Sequence, residues 1–301
     1  MRTAMLKQLS TCMRADESLH LIVADTGFHV FDDLQKEFSS RYMNIGISEA
    51  CMIGVAAGLA LNDKRVICYG IVPFVTMRCF EQIRNDLCSQ NLPVTVIGVG
   101  EGLTYGAAGS SHHSLTDIAV MNALPGMTVV CPGDPVEVQH AVEAVLNLDG
   151  PSYLRIGKSG EPLVHRDGLQ GFELGRGIRL RQGRDVAVIS TGNMLPTAEE
   201  ICEKLLAAGR DPELISMHTV KPIDRELLID VAGRCRSIVT IEEHSVIGGL
   251  GAAVSRVVTD EGLAVKVQRF GIPDEFVQEA GSQMFLREKY GLTAEQIVER
   301  I

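Results

Sequence analysis

Short apolar runs alternate with helix-like segments along the whole of this 301-residue chain, and no other feature narrows the possible folds as far. The runs at 19–24, 66–71, 93–99, 128–131 and 153–156 are continuously apolar, as expected of strands covered on both faces. Helical patterning fills the gaps at 3–13, 49–61, 75–87, 115–122 and 135–146. Asp134 before Pro135 reads as an N-cap followed by proline at the first helical position. Alternation of this kind predicts an α/β architecture on parallel sheets. The pattern lapses over 158–178, which is polar and rich in turn residues. It restarts with strands at 186–190, 213–216, 237–241 and 264–269, and helices at 195–208, 224–232, 249–259 and 294–301. The expected organisation is a first domain over 1–157, a linker over 158–178 and a second α/β domain over 179–301.

Several function classes are disfavoured at once. A net charge of -10 with no basic tract argues against nucleic acid as a partner. No apolar run is long enough to cross a bilayer, and the first residues show no signal-peptide core, so a cytoplasmic protein is expected. The eight cysteines form no Cys-x-x-Cys pair and lie mostly inside apolar runs, which reads as buried thiols in a reducing compartment.

Three stretches carry candidate chemistry. In Arg41-Tyr-Met-Asn-Ile-Gly-Ile-Ser-Glu-Ala50, a polar extended segment turns into an apolar one, and Glu49 opens a helix rich in Gly and Ala. A carboxylate there meets the favourable end of the helix dipole. Taken alone, it reads first as an ordinary first-turn acid of a core helix. Next, Gly70-Ile-Val-Pro-Phe-Val-Thr-Met-Arg-Cys-Phe80 leaves a strand and enters a helix, at the edge where open α/β sheets bind ligands. It offers Phe74, Phe80 and the cation Arg78. The third, over 100–114, is a long glycine-rich loop carrying His112 and His113. Such loops inside compact domains are usually functional. Adjacent histidines seldom point the same way and no third ligand lies at helical spacing, so one histidine acting on a substrate is favoured over a metal site.

These motifs, in this order, resemble the C-terminal half of transketolase-family enzymes. The resemblance extends to Ser190-Thr-Gly, His218-Thr-Val-Lys-Pro222 and Ile241-Glu-Glu-His-Ser-Val-Ile-Gly-Gly-Leu-Gly251. It implies a thiamine diphosphate pyrimidine-binding domain followed by a transketolase C-terminal domain. Glu49 then matches the glutamate that shares a proton with N1′ of the aminopyrimidine, driving the tautomer shift that lets the 4′ nitrogen take the proton from thiazolium C2. Phe74 and Phe80 match candidates to flank the pyrimidine, with Phe74 favoured, and Asp25 is a weaker candidate for shaping that site. His112 matches a histidine facing the substrate, and Arg78 an arginine that contacts substrate in the deoxyxylulose phosphate synthase branch. The small-residue helix would pack in a subunit interface.

The family's Gly-Asp-Gly metal motif is missing; Gly133-Asp-Pro and Asp149-Gly do not replace it. A diphosphate with its magnesium needs such oxygen ligands. The resemblance therefore implies a split enzyme: no metal ligands in this chain, and a separately encoded N-terminal subunit that holds Mg2+ and shares the thiamine diphosphate, in an α2β2 heterotetramer. An aspartate that senses substrate hydroxyls falls at Ala108, a substrate-site histidine near Gly100, and a phosphate-binding arginine near Lys158. Lysine binds phosphate as a point charge without the planar fork. Three readings remain open: transfer of a two-carbon ketol unit between small sugar or keto substrates, an E1-beta-type subunit of a 2-oxo-acid dehydrogenase, and a non-catalytic paralogue. Glu242, Glu243 and His244, between a strand and a glycine-rich turn, are expected to hold that loop or an interface.

Overall fold

The computed structural model describes residues 1–27 and 29–301. Two sheets organise it. The first is seven-stranded, built from β1 (Leu19–Val23), β2 (Tyr42–Asn44), β3 (Arg65–Ile71), β4 (Val94–Val99), β5 (Thr128–Val130), β6 (Ser152–Ile156) and β10 (Thr219–Lys221). Their order across the sheet is β10-β5-β6-β4-β3-β1-β2. The second holds β7 (Ile178–Arg181), β8 (Val186–Ser190), β9 (Glu213–Ser216), β11 (Ser237–Ser245) and β12 (Lys266–Ile272) in the order β12-β11-β8-β9-β7. Pairing is parallel throughout, except for one antiparallel member at an edge of each sheet: β10 against β5, and β7 against β9.

Burial explains the parallel cores. Every residue of β4, β6 and β8 is buried. Such strands have no solvent face, and only layers of helix on both sides of a sheet provide that environment. One face of the first sheet is covered by the helices Arg2–Ala15 and Pro135–Leu146, around Met5, Leu9, Val138 and Val142. On the other, Met52, Ile53 and Ala56 of the helix Glu49–Ala60 belong to a core that continues without a break into Ile189, Leu250 and Val254 around the second sheet.

Some local expectations are revised. The helix expected over 75–87 is two short helical pieces, Val72–Thr76 and Phe80–Gln82, running into a π-helical turn at Ile83–Cys88. Three strands lie outside the expected set: β2, β7 and β10, each of three or four residues and at or beside a sheet edge. Runs this short carry too little periodicity to be seen without their partners. β10 is also displaced across the domain division: sequence places it in the second unit, yet Thr219 and Lys221 pair with Val130 and Val129 of β5. Lys221 reinforces the crossing, donating from Nζ to the Asn122 carbonyl at 3.0 Å and to that of Leu124. Among the described residues, no helix is long and apolar enough to cross a membrane.

Candidate active site

Five neighbouring parallel strands, β6, β4, β3, β1 and β2, end on one edge of the first sheet. The segments leaving them carry the candidate catalytic and binding residues: Lys158, His112, Phe74 with Phe80 and Arg78, Asp25 and Glu49. Parallel register makes this convergence automatic, since every strand delivers its C-terminal end to the same side.

A continuous line of contacts runs across that edge. Glu49 opens its helix almost fully buried, at 1% exposure. Its Oε2 accepts from Arg78 Nη1 at 2.6 Å, while the Arg78 side chain is itself 47% exposed. The Arg78 guanidinium lies over the Phe74 ring, 4.5 Å from its centroid. Phe74 meets His112 edge-on at 5.2 Å, and His112 meets Tyr105 edge-on at 6.4 Å. Lys158 Nζ then sits 5.5 Å from the Tyr105 centroid. A buried carboxylate, two aromatic rings, an imidazole and two cations thus form one wall.

Two of the expected residues stand apart from this line. Phe80 packs against the core that contains Ile53 and Cys79. Asp25, exposed and at φ +51°, is held by Asn44: its N–H donates to Asn44 Oδ1 at 3.0 Å, and Asn44 Nδ2 donates back to Asp25 Oδ1 at 3.2 Å. Asn44 Oδ1 also accepts from the Gly46 N–H at 3.0 Å, so this pair fixes the turn leading to Glu49. The adjacent histidines diverge, as expected. His112 Nδ1 pairs with the Ser111 hydroxyl at 3.0 Å, whereas His113 is buried with Nε2 3.2 Å from the Gly106 carbonyl oxygen. Tyr105 is not among the residues that the sequence singles out, although an aromatic inside a glycine-rich loop is a visible signal. Gly100 makes its placement possible: at φ +89°, a Cβ there would lie 2.0 Å from the Tyr105 ring.

Below the edge lies a buried ionic network that no sequence motif marks. Arg155, the one charge in β6, donates from Nε to Asp117 Oδ2 at 2.7 Å and from Nη1 to Glu101 Oε2 at 2.9 Å. Its Nη2 reaches the carbonyls of Ser114 and Glu243 at 2.9 and 3.0 Å. A buried guanidinium persists only with such partners. Burial pushes the Glu101 carboxyl up to about 8, against the downward pull of Arg155. Glu101 and Ser114 are the two ends of the histidine loop, so one arginine ties both to the sheet. Glu242 is equally structural: its carboxylate accepts from the Leu250 and Gly251 N–H groups at 2.7 and 2.8 Å, at the start of the helix Leu250–Asp260.

This arrangement has counterparts in known proteins. Residues 1–161 match the family model of the transketolase pyrimidine-binding domain, and residues 175–297 that of the transketolase C-terminal domain. A subunit of the apulose-4-phosphate transketolase from Actinobacillus succinogenes is 31% identical over 264 residues, covering 88% of this chain and 85% of that protein. A 6-deoxy-6-sulfo-D-fructose transketolase subunit from Clostridium sp. is 36% identical over 264 residues, covering 87% and 81%. Among solved structures, a split-gene transketolase in the form of an inactive beta4 tetramer superposes with a TM-score of 0.90 at 36% identity, covering 99% of this chain and 95% of that one. Both domains, and relatives matched over most of their own length, make this chain a member of the transketolase family, corresponding to its C-terminal, pyrimidine-binding subunit.

Proposed function

We propose that this chain acts as one half of a split thiamine diphosphate-dependent transketolase, with a separately encoded subunit supplying the diphosphate-binding domain and its magnesium in an α2β2 assembly. The missing Gly-Asp-Gly motif supports the division of labour. The names of the two relatives, each a transketolase subunit, agree with it. The observation that carries the reading is the wall from Glu49 to Lys158, with a buried carboxylate at one end and an exposed cation at the other.

The residues present fit the pyrimidine end of such a cofactor. A carboxylate withdrawn from water suits a ring nitrogen with which it must share a proton, and the adjacent Phe74 face suits a flat heterocycle. When bound, thiamine diphosphate supplies a nucleophilic carbon that accepts a two-carbon ketol unit and hands it on. Glu49 holds the proton at N1′; Phe74 orients the ring; Asp25, through Asn44, keeps the turn before Glu49 in shape. Phe80 acts from behind, by packing. His112 moves a proton on a substrate oxygen, with its ring fixed by Phe74 and Tyr105. Arg78 and Lys158 place positive charge at two points of the opening, which suits a ketose bearing a phosphate or sulfonate. Both groups occur in the substrate names of the relatives.

The test is reconstitution. The chain is mixed with candidate partners bearing a Gly-Asp-Gly motif, and thiamine diphosphate binding is followed by near-ultraviolet circular dichroism. Release of an aldose from an anionic ketose is assayed beside decarboxylation of pyruvate. Ketol transfer by the mixture, and none by the chain alone, is the expected result. Pyruvate decarboxylation without ketol transfer would overturn the reading.

A further inference from the structure

Glu243 lies in β11 of the second sheet, fully buried, yet its carboxylate is spent on the catalytic loop of the first domain. Its Oε1 accepts from the Leu103 N–H at 2.5 Å, from Gln283 Nε2 at 2.8 Å and from Asn193 Nδ2 at 3.5 Å. Its Oε2 pairs with Arg287 Nε. Gln283 and Arg287 both belong to the helix Gln283–Lys289. The loop is shaped for this contact. Gly102 sits at φ +59°, and a Cβ there would lie 2.4 Å from Glu243 Oε1, so only glycine admits the carboxylate. Beside it the Gly281 N–H donates to the Gly106 carbonyl at 3.2 Å, a second seat for the same loop on the second domain. The loop then closes on itself, Ser114 N–H to Gly102 carbonyl at 2.8 Å, with His112 between the two seats and the closure.

We propose that Glu243 is a positioning residue for His112, and that holding the histidine loop through it is what the C-terminal domain contributes to turnover. Leu103 is fully buried and packs in the second domain's core, so the loop has one deep anchor, and Glu243 fixes the backbone at that anchor. Without it, the segment 102–114 keeps Arg155 at its ends and the Gly281–Gly106 bond, but the backbone at Leu103 loses its acceptor and the loop its exact register on the second domain. A displacement of about 1 Å at a reacting group is enough to cost about a hundredfold in rate. This inference rests on the function proposed above, because it takes His112 as the group to be placed.

Two variants test it in the reconstituted complex. Glu243→Gln keeps an acceptor oxygen for the Leu103 N–H. The double variant Glu243→Leu with Arg287→Leu removes that acceptor without leaving a partly buried guanidinium unpaired. The double variant should raise amide exchange across 102–114 by about tenfold, the loss of roughly one hydrogen bond. It should lower kcat by about a hundredfold, with cofactor affinity retained in near-ultraviolet circular dichroism. Glu243→Gln should recover most of the rate. Unchanged loop exchange, or faster exchange with kcat per folded complex unaltered, overturns the proposal. A wild-type complex that binds cofactor but transfers no ketol unit fails the proposed function instead, and the exchange comparison then still decides whether Glu243 holds the loop.

Discussion

Glu49 and Arg78 form an unequal pair: their charged groups lie 2.6 Å apart, yet the Glu49 side chain is 2% exposed and that of Arg78 47%. The carboxylate is held by the fold, while the cation reaches it from the solvent side. In the reading proposed above, removing Glu49 takes away the proton partner of the pyrimidine and removing His112 takes away a group at the substrate. The two variants should therefore separate. Glu49→Ala is expected to lower kcat by at least about a thousandfold while the complex still assembles on a sizing column. His112→Ala should lower kcat/KM by about a hundredfold and leave the cofactor's dichroism signal intact. Loss of that signal in His112→Ala would contradict the role given to it.

Among elements, the helix Glu49–Ala60 is the plainest case of sequence serving two surfaces. Met52, Ile53, Ala56 and Ala60 face the core, whereas Cys51, Gly54 and Gly58 are exposed, and a Cβ at either glycine would meet nothing within 4 Å. Glycine is costly in a helix, by about 1 kcal/mol against alanine. Gly58→Leu should accordingly raise the thermal stability of the separate chain. If the small face is where a second copy packs, the same change should abolish self-association in analytical ultracentrifugation. Unchanged oligomerisation would remove this helix from the interface. The helix Pro135–Leu146 shows a different economy. Asp134 Oδ1 caps it, accepting from the Val136 and Glu137 N–H groups at 2.9 Å each. Oδ2 meanwhile holds the linker through the Val164 and His165 N–H groups at 3.0 and 2.8 Å. Burial opposes this charge, but His165 and the backbone donors hold the carboxyl down to about 2. Asp134→Ala is expected to cost about 3 kcal/mol in denaturant unfolding, more than a simple cap, because two segments lose their tie together.

For the whole molecule, stability should depend on pH through its buried carboxyls. Burial lifts Glu242 from 4.5 to about 7, against the two N–H groups it accepts from. The folded state then binds a proton that the unfolded state has released, so the stability that Glu242 contributes falls as pH rises from about 4.5 to about 7, while His218 and His244, held below the usual histidine range by burial, act in the opposite sense. Glu101 acts in the same direction over a window reaching about 8. Glu242→Gln should lower the melting temperature overall and make its slope between pH 5 and 7 less negative than in the wild type, measured by calorimetry. An unchanged slope would show that Glu242 does not carry it. A single core joins both sheets and β10 is hydrogen-bonded into the first, so the two units should unfold in one transition.

Fold class and much of the candidate wall were legible in order along the chain. Continuous apolar runs specify strands buried on both faces, and parallel strands send every following loop to one edge. That logic needs no coordinates, and it brings Phe74, Arg78, His112 and Lys158 to the same side; Glu49 joins them through β2, a strand too short to be seen without its partner. Three things required the tertiary structure. Phe74 and Phe80 have the same chemistry in sequence, and only packing separates the ring at the wall from the ring against the core. β10 has too few residues to show a period, and pairing across the domain division alone makes it a strand of the first sheet. The bond between Glu243 and Leu103 spans 140 positions, and no local pattern encodes a contact at that separation. Sequence dictates what each segment prefers and which edge it reaches, because those preferences are set by near neighbours. Which distant carboxylate fixes the histidine loop is decided when the two sheets close over a shared core.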